Sequence, residues 1–503
     1  MRRHQPGSSA SCGGGHIKAI TTCTACLAGA LLIPALNATP ALADEKDGLP
    51  EQSVATSLDG GPDKDARAAL AAKGVTYGIN YIGEGWGNSG GAYQGATYMG
   101  RLEMLVDADL EKLWGAKGLS FHVNGYQIHG EALEKYLGGP LMTISSIEAL
   151  PSSRLFELWL EQKFGERVSL RAGQLAIDSE FFISATAANF INATFGWATI
   201  WAQDLPNGAN AYPLATPGVR LKLDISDNLA FLAAVYNGDA AGCADGQRCN
   251  RNGTDFRLQD PPMVLEEFQY KYNQRAEDKE SDPNESVKAD EEADGKVSAV
   301  EKKRRDRKNK EKADTPTDPW SLPGTFKIGA WQHFGTFDGV YSSTLIDNDY
   351  EYVQRQRFRR NFAFYGVIDQ QIYAHPKEPE KGVSIFVRVA GAPTERNLVD
   401  FYIDGGVFLS GFVPDRPDDT FGAGIAYAQV SNDAIVGDTV ISYAVDPNYL
   451  VRNFEAMVEV FYKYQVVSGF YIQPDLQYMW NPGGNVTGNS DALYGAVRVS
   501  ISY

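Results

Sequence analysis

The sequence predicts an all-β fold, a sixteen-stranded antiparallel transmembrane β-barrel, and three observations predict it. From Val75 to the C-terminus, short segments alternate apolar or aromatic residues with small or charged ones about sixteen times, which is the side-chain period of a strand and an even count suited to a closed barrel. After Asp44 no stretch approaches the roughly 20 apolar residues of a spanning helix. The connections alternate in length, with short turns at Trp114–Gly118, Gly165–Arg167 and Asp224–Asn228 and long loops at Glu131–Arg154 and Glu180–Thr216. Periplasmic turns and external loops produce that asymmetry.

The chain opens with Arg2, Arg3 and Lys18, an apolar stretch from Ala19 to Leu36, and Ala41-Leu42-Ala43 before Asp44. This is the order of a secretory signal peptide, assigned to residues 1–43. Its removal takes three basic and no acidic residues from the 503-residue chain of net charge −17, leaving 43 basic against 63 acidic residues, a net of −20. Nucleic acid is excluded as a partner on that charge. Residues 44–74 form a polar lead-in with a short helix over Asp63–Ala72, and 75–503 form the barrel.

The strands follow in order. Val75–Tyr81 shows the dyad first. Arg101–Leu110 places Leu102, Met104, Val106, Ala108 and Leu110 on one face and mostly charges on the other; Leu119–Asn124 alternates likewise. Phe156, Leu158 and Leu160 oppose Glu157, Trp159 and Glu161. Twelve further segments complete the count: Ser169–Leu175, Gly218–Asp224, Leu229–Asn237, Glu266–Asn273, Thr325–Phe334, Asn361–Tyr373, Val383–Val389, Tyr402–Leu409, Phe421–Val430, Phe454–Tyr464, Phe470–Trp480 and Leu493–Tyr503. Tyr462, Tyr464, Tyr471, Tyr478 and Tyr503 read as interfacial girdle aromatics. Gly85–Gly91 reads as a loop. Residues 275–318, acidic first and basic later, read as a solvated polyampholyte insert on the turn side.

Catalytic and metal sites find no support, and no cofactor is expected. Only His122, His129, His333 and His375 survive processing, and His122 and His129 differ by an odd number along one strand, which puts them on opposite faces. Cys243 and Cys249 alone remain in an oxidising compartment and are a disulfide candidate. A passage instead needs inward charges, groups that exchange hydrogen bonds with hydroxyls, and aromatic rings. Arg101, Glu103, Asp107, Asn124, Glu157, Glu161, Arg171, Arg220 and Lys222 lie on the polar parity, and the loop Glu180–Thr216 carries Trp197, Trp201, Gln203, Asp204 and Asn207. A loop of that length after the fifth strand is placed to fold inward as an eyelet.

Several stretches resemble the carbohydrate-selective porins of the OprB family: YMGRLEMLVDADLEKLWG and LSFHVNGYQIHG before Gly130, RAGQLAIDSEF at Arg171–Phe181, NATFGWATIWAQDLPNGANAYP at Asn192–Pro213, VYNGDAAG at Val235–Gly242 and QPDLQYMWNPGG at Gln473–Gly484. The resemblance implies a sixteen-stranded outer-membrane barrel for uptake of monosaccharides such as glucose, with Arg101, Glu103, Arg171, Trp197, Trp201 and Asp204 at or near its constriction. It implies small sugars, outer-membrane lipids and, through the C-terminal strand, the barrel assembly machinery as partners, with a homo-oligomer left open. The 275–318 insert, the cysteine pair and the final Tyr503 depart from the family pattern. A general diffusion or ion-selective porin and a wall-tethering structural protein are the rival readings.

Overall fold

A computed structural model of the chain describes residues 64–243, 246–274, 321–347, 350–444, 446–485 and 488–503. The signal segment 1–43, most of the lead-in and the insert 275–318 lie outside the described residues. After a helix at Lys64–Ala72, sixteen strands follow: β1 (Val75–Gly91), β2 (Ala96–Asp109), β3 (Leu119–Gly130), β4 (Ser152–Phe164), β5 (Val168–Leu175), β6 (Thr216–Asp224), β7 (Leu229–Asn237) and β8 (Pro262–Tyr272), then β9 (Gly324–Asp347), β10 (Tyr350–Ala374), β11 (Gly382–Gly391), β12 (Val399–Ser410), β13 (Thr420–Val430), β14 (Phe454–Val467), β15 (Phe470–Trp480) and β16 (Ser490–Ser502). Each pairs antiparallel with its sequence neighbours, and β16 pairs with β1 from Asn80↔Ser502 to Gly91↔Ser490, closing the barrel. Closure leaves no strand edge with unpaired backbone groups, the condition for sheet in lipid.

The dyad sorts the side chains as the sequence requires. On β2, Met104 and Val106 are exposed on the outer wall while Arg101, Glu103 and Asp107 take the opposite parity. On β15, Leu476 is exposed and Gln473, Asp475 and Gln477 are buried on the inner face.

Four local readings are corrected. Gly85–Gly91 continues β1 rather than forming a loop, with Trp86 turned inward and donating to Glu84 Oε2 at 2.7 Å. Leu110 leaves β2, because Asp109 Oδ1 accepts from the Glu111 and Lys112 amides and starts a one-turn helix over Leu110–Trp114, ended by Gly115 at φ 74°. Phe156 does not share a face with Leu158 and Leu160. Val123 opposes Leu158 but Gly125 opposes Leu155, so β4 carries one extra residue, and this bulge turns Phe156 inward against Tyr126 at 5.0 Å. Tyr471 is buried on the parity of Gln473 and Asp475 and takes no part in an outer girdle, whereas Tyr462, Tyr464 and Tyr478 share the parity of exposed Val460 and Leu476.

The interior is substantially filled. The connections 131–151 and 176–215 turn into the barrel and pack on its inner wall. Leu133, Leu137, Met142, Ile144 and Ile147 from the first and Phe181, Phe190, Ile191, Phe195 and Ile200 from the second join inward residues such as Trp331, Tyr365, Phe386 and Phe461 in one apolar cluster. A side chain with inward parity therefore has two fates, against a loop or beside the remaining opening.

Candidate functional site

The inward loop 176–215 has little secondary structure of its own, so its backbone N–H and C=O groups need partners from the wall. Inward carboxylates accept the amides. Glu459 takes Ile191 N–H at 2.6 Å and Asn192 N–H at 2.9 Å, and Glu267 takes Phe182 N–H at 2.9 Å. Inward cations donate to the carbonyls: Arg388 to Phe182, Gly196 and Thr194 at 3.2, 3.1 and 2.7 Å, and Lys327 Nζ to Ile183 at 2.8 Å. The other loop is held the same way, with Glu455 accepting from Leu141 and Met142 at 2.8 and 2.6 Å. These ties fix where the opening can lie.

One cavity is bounded by β4, β5 and β6, by Leu232, Gln269 and Lys327 from β7–β9, and by the first residues of the loop. A cross-strand row runs along this wall. Asp107, His122 and Trp159 are register partners on β2, β3 and β4, and Glu161, Arg171 and Arg220 on β4, β5 and β6. Asp107 Oδ1 lies 2.7 Å from His122 Nδ1, and the imidazole stacks on Trp159 at 4.8 Å and 17°. The same indole also takes the Arg171 guanidinium, at 3.8 Å from its ring centroid. Gly173, opposite Trp159 at φ 150°, makes room for this, since a Cβ there would stand 2.8 Å from Trp159 Cβ and 2.2 Å from the Leu158 carbonyl oxygen.

Arg171 and Arg220 then share two carboxylates. Arg171 meets Glu161 at 2.7 Å and Glu180 at 3.4 Å, and Arg220 meets Glu180 at 2.7 Å, Glu161 at 3.3 Å and Ser169 Oγ at 2.8 Å. Glu180 comes from the loop and the other three from the wall, so the quartet bolts the loop's entry to β4–β6. Beside it lies this cavity of about 440 Å³, also lined by Lys163, Glu166, Lys222, Asp224 and Lys327. Its border carries five cationic side chains and four carboxylates. Such a border offers charge-assisted donors and acceptors in nearly equal measure without a strong field of one sign.

Of the six candidate constriction residues, the structure brings only Arg171 to this cavity. Arg101 stands over the rings of Tyr126 and Tyr212 at 4.8 and 5.0 Å, and Glu103 accepts from Asn80 and Asn124 at 3.1 and 3.0 Å. Both have inward parity on β2, apart from the quartet. Trp197 is half-buried and donates its indole N–H to the Gly208 carbonyl at 2.9 Å. Trp201 is 1% exposed and packs edge-on against Phe182 and Trp331 at 5.5 and 5.6 Å, so no solute reaches its ring. Asp204 accepts from the Leu398 and Val399 amides at 3.0 and 3.1 Å, and burial holds its carboxyl well above the usual range. Trp201 and Asp204 are therefore packing and tethering residues of the loop. Cys243 and Cys249 are bonded to each other in the β7–β8 connection, with Cα atoms 6.3 Å apart.

Sequence reasoning left His122, Trp159 and Glu180 off the candidate set. Inward parity and the RAGQLAIDSEF stretch were the signals available for them. The anchors Glu267, Arg388, Glu455 and Glu459 carry no local signal beyond parity. Among the described residues no three metal-ligating side chains come together, and His129 turns outward, 3.3 Å from the Tyr81 hydroxyl, away from His122.

The family model described as carbohydrate-selective porin, OprB family, matches residues 93–503. Porin B of Pseudomonas aeruginosa is 22% identical over 466 residues, covering 87% of this chain and 89% of that protein. The high-pH structure of Pseudomonas putida OprB is 18% identical and superposes with a TM-score of 0.69, over 87% of this chain and 96% of that one.

Proposed function

The chain belongs to the carbohydrate-selective porins of the OprB family, and on that premise we propose that it passes monosaccharides such as glucose passively through the cavity beside the Arg171–Glu161–Glu180–Arg220 quartet. It is a transport channel of the bacterial outer membrane, selective for sugars. The observation that carries the finer reading is the charge-balanced border of the cavity. A sugar has no net charge and many hydroxyls, each both donor and acceptor. Paired guanidinium and carboxylate groups can lend a hydrogen bond to such a hydroxyl and take it back at little cost, because the partner ion is always at hand. Weak, repeated exchange of this kind allows entry and also release.

In this reading the short turns face the periplasm and the long loops the exterior, residues 1–43 are a cleaved export signal, and the charged segment 275–318 lies on the periplasmic side. The test is single-channel current across a planar bilayer of the mature protein, titrated with glucose and then other sugars. Saturable block by a monosaccharide supports the reading. An ohmic current blind to every sugar overturns it in favour of a general diffusion porin.

A further inference from the structure

The outer wall of β9 and β10 carries, at the long-loop rim, a cluster of cations that the passage does not use. Arg357, Arg359 and Arg360 are all exposed. Arg357 opposes Asp338 and Arg359 opposes Thr336, residues on the outward parity of exposed Phe334. The register shifts between Arg359 and Asn361, where Arg360 takes φ 69°. This irregularity lets two consecutive arginines face outward, and the Arg360 guanidinium lies over the Phe334 ring at 5.3 Å.

Among the described residues only Arg357 has a carboxylate partner, Asp338 at 3.2 Å, and that pair is largely exposed. The backbone beneath is braced, since Arg396 donates to the Arg360 carbonyl at 2.7 Å and stands over the Phe358 ring at 4.6 Å. Directly below the arginines the same wall is apolar and exposed, through Phe334, Phe362, Phe364 and Ile328.

Cations set just above a lipid-facing apolar wall stand at the level of the headgroups, and guanidinium forks match phosphate oxygens. We propose that Arg357, Arg359 and Arg360 bind the phosphate-bearing headgroup of a membrane lipid in the leaflet at the long-loop end, whose acyl chains lie along Phe334, Phe362 and Phe364. Charge complementarity and continuity with the lipid-facing wall select this occupant. The same arginines would also attract free phosphate, so the test must separate the two sources.

The mature protein is placed in phosphatidylcholine nanodiscs containing a small fraction of a diphosphorylated glycolipid, and the lipid retained is counted by native mass spectrometry. The wild type should enrich the phosphorylated lipid over phosphatidylcholine, with an affinity that falls as salt rises. Each arginine removed from such a surface weakens binding by roughly fivefold, so Arg359→Ala with Arg360→Ala should lose about 25-fold while sugar-blocked current is unchanged. Arg359→Gln with Arg360→Gln should behave alike, and Arg167→Ala at the opposite end should bind as wild type. No enrichment by the wild type, salt-insensitive binding, retention within twofold by either double variant, or equal displacement by millimolar inorganic phosphate would each overturn the proposal. The salt series needs no variant and decides even if both double variants fail to fold.

Discussion

Removing Arg171 should change two readouts by different amounts. Its guanidinium stacks on Trp159 at 3.8 Å and meets Glu161 and Glu180 at 2.7 and 3.4 Å. Arg171→Ala leaves four cationic side chains against four carboxylates around the cavity, and Arg220 still binds both glutamates. An ion passing ~7 Å away loses or gains about 0.6 kcal/mol in water, 0.1 M salt roughly halves that, and the cation-to-anion permeability ratio should rise roughly threefold. A sugar loses a charge-assisted hydrogen bond and part of an aromatic platform, so its blocking constant should weaken by roughly tenfold, about 1.4 kcal/mol. Reversal potentials in a salt gradient measure the first change and glucose titration of the single-channel current the second. Arg171→Lys should keep the ratio and lose part of the block, because an ammonium lacks the planar fork that spans two carboxylates. A blocking constant within twofold of wild type in Arg171→Ala, alongside the shifted ion ratio, would refute sugar contact at this residue.

Two further outcomes follow from the loop's packing and its buried acid. Trp201→Ala empties a fully buried aromatic site at a cost of roughly 3–5 kcal/mol; the loop should loosen, with larger and noisier open-channel current and a lower thermal midpoint, and unchanged noise and midpoint would show that Trp201 does not hold the loop. Asp178 in the same loop accepts the Tyr212 amide at 2.8 Å, and burial, with the Glu157 charge adding to it, pushes its carboxyl up to about 7. The folded chain then binds more protons at this site than the unfolded chain between about pH 4 and 7, so this contribution to stability is lost as pH rises through that window and is flat above it. Asp178→Asn should therefore gain stability over wild type at pH 8 and match it at pH 4 in denaturant titrations, and a pH-independent difference would refute the assignment.

The barrel was legible because each strand states its own condition locally. A residue such as Met104 or Leu476 facing outward and Glu103 or Gln473 facing inward is readable from period two alone, whatever the rest of the chain does. The errors fall where a local rule met a nonlocal one. The parity of Phe156 holds only if β4 pairs without a bulge, and the extra residue that reverses it shows only against β3. Trp201 and Trp197 stood among the constriction candidates from the composition of the loop, whereas the folded-in loop packs Trp201 on the wall and ties Trp197 to the Gly208 carbonyl.

What the sequence by itself determined is the strand count, the closed antiparallel topology, the sorting of charge to the inside and apolar surface to the outside, and the presence of a long loop after the fifth strand. Dyad alternation and chain length carry those properties through each segment separately. Only the tertiary structure decided which inward polar residues became tethers and which border the opening. Glu459 and Glu161 have the same chemistry and the same inward parity, yet one is consumed by the amides of Ile191 and Asn192 and the other stands at the cavity beside Arg171. That difference depends on where a loop near residue 190 comes to rest against a strand near residue 460, a distance in sequence across which no local pattern carries information.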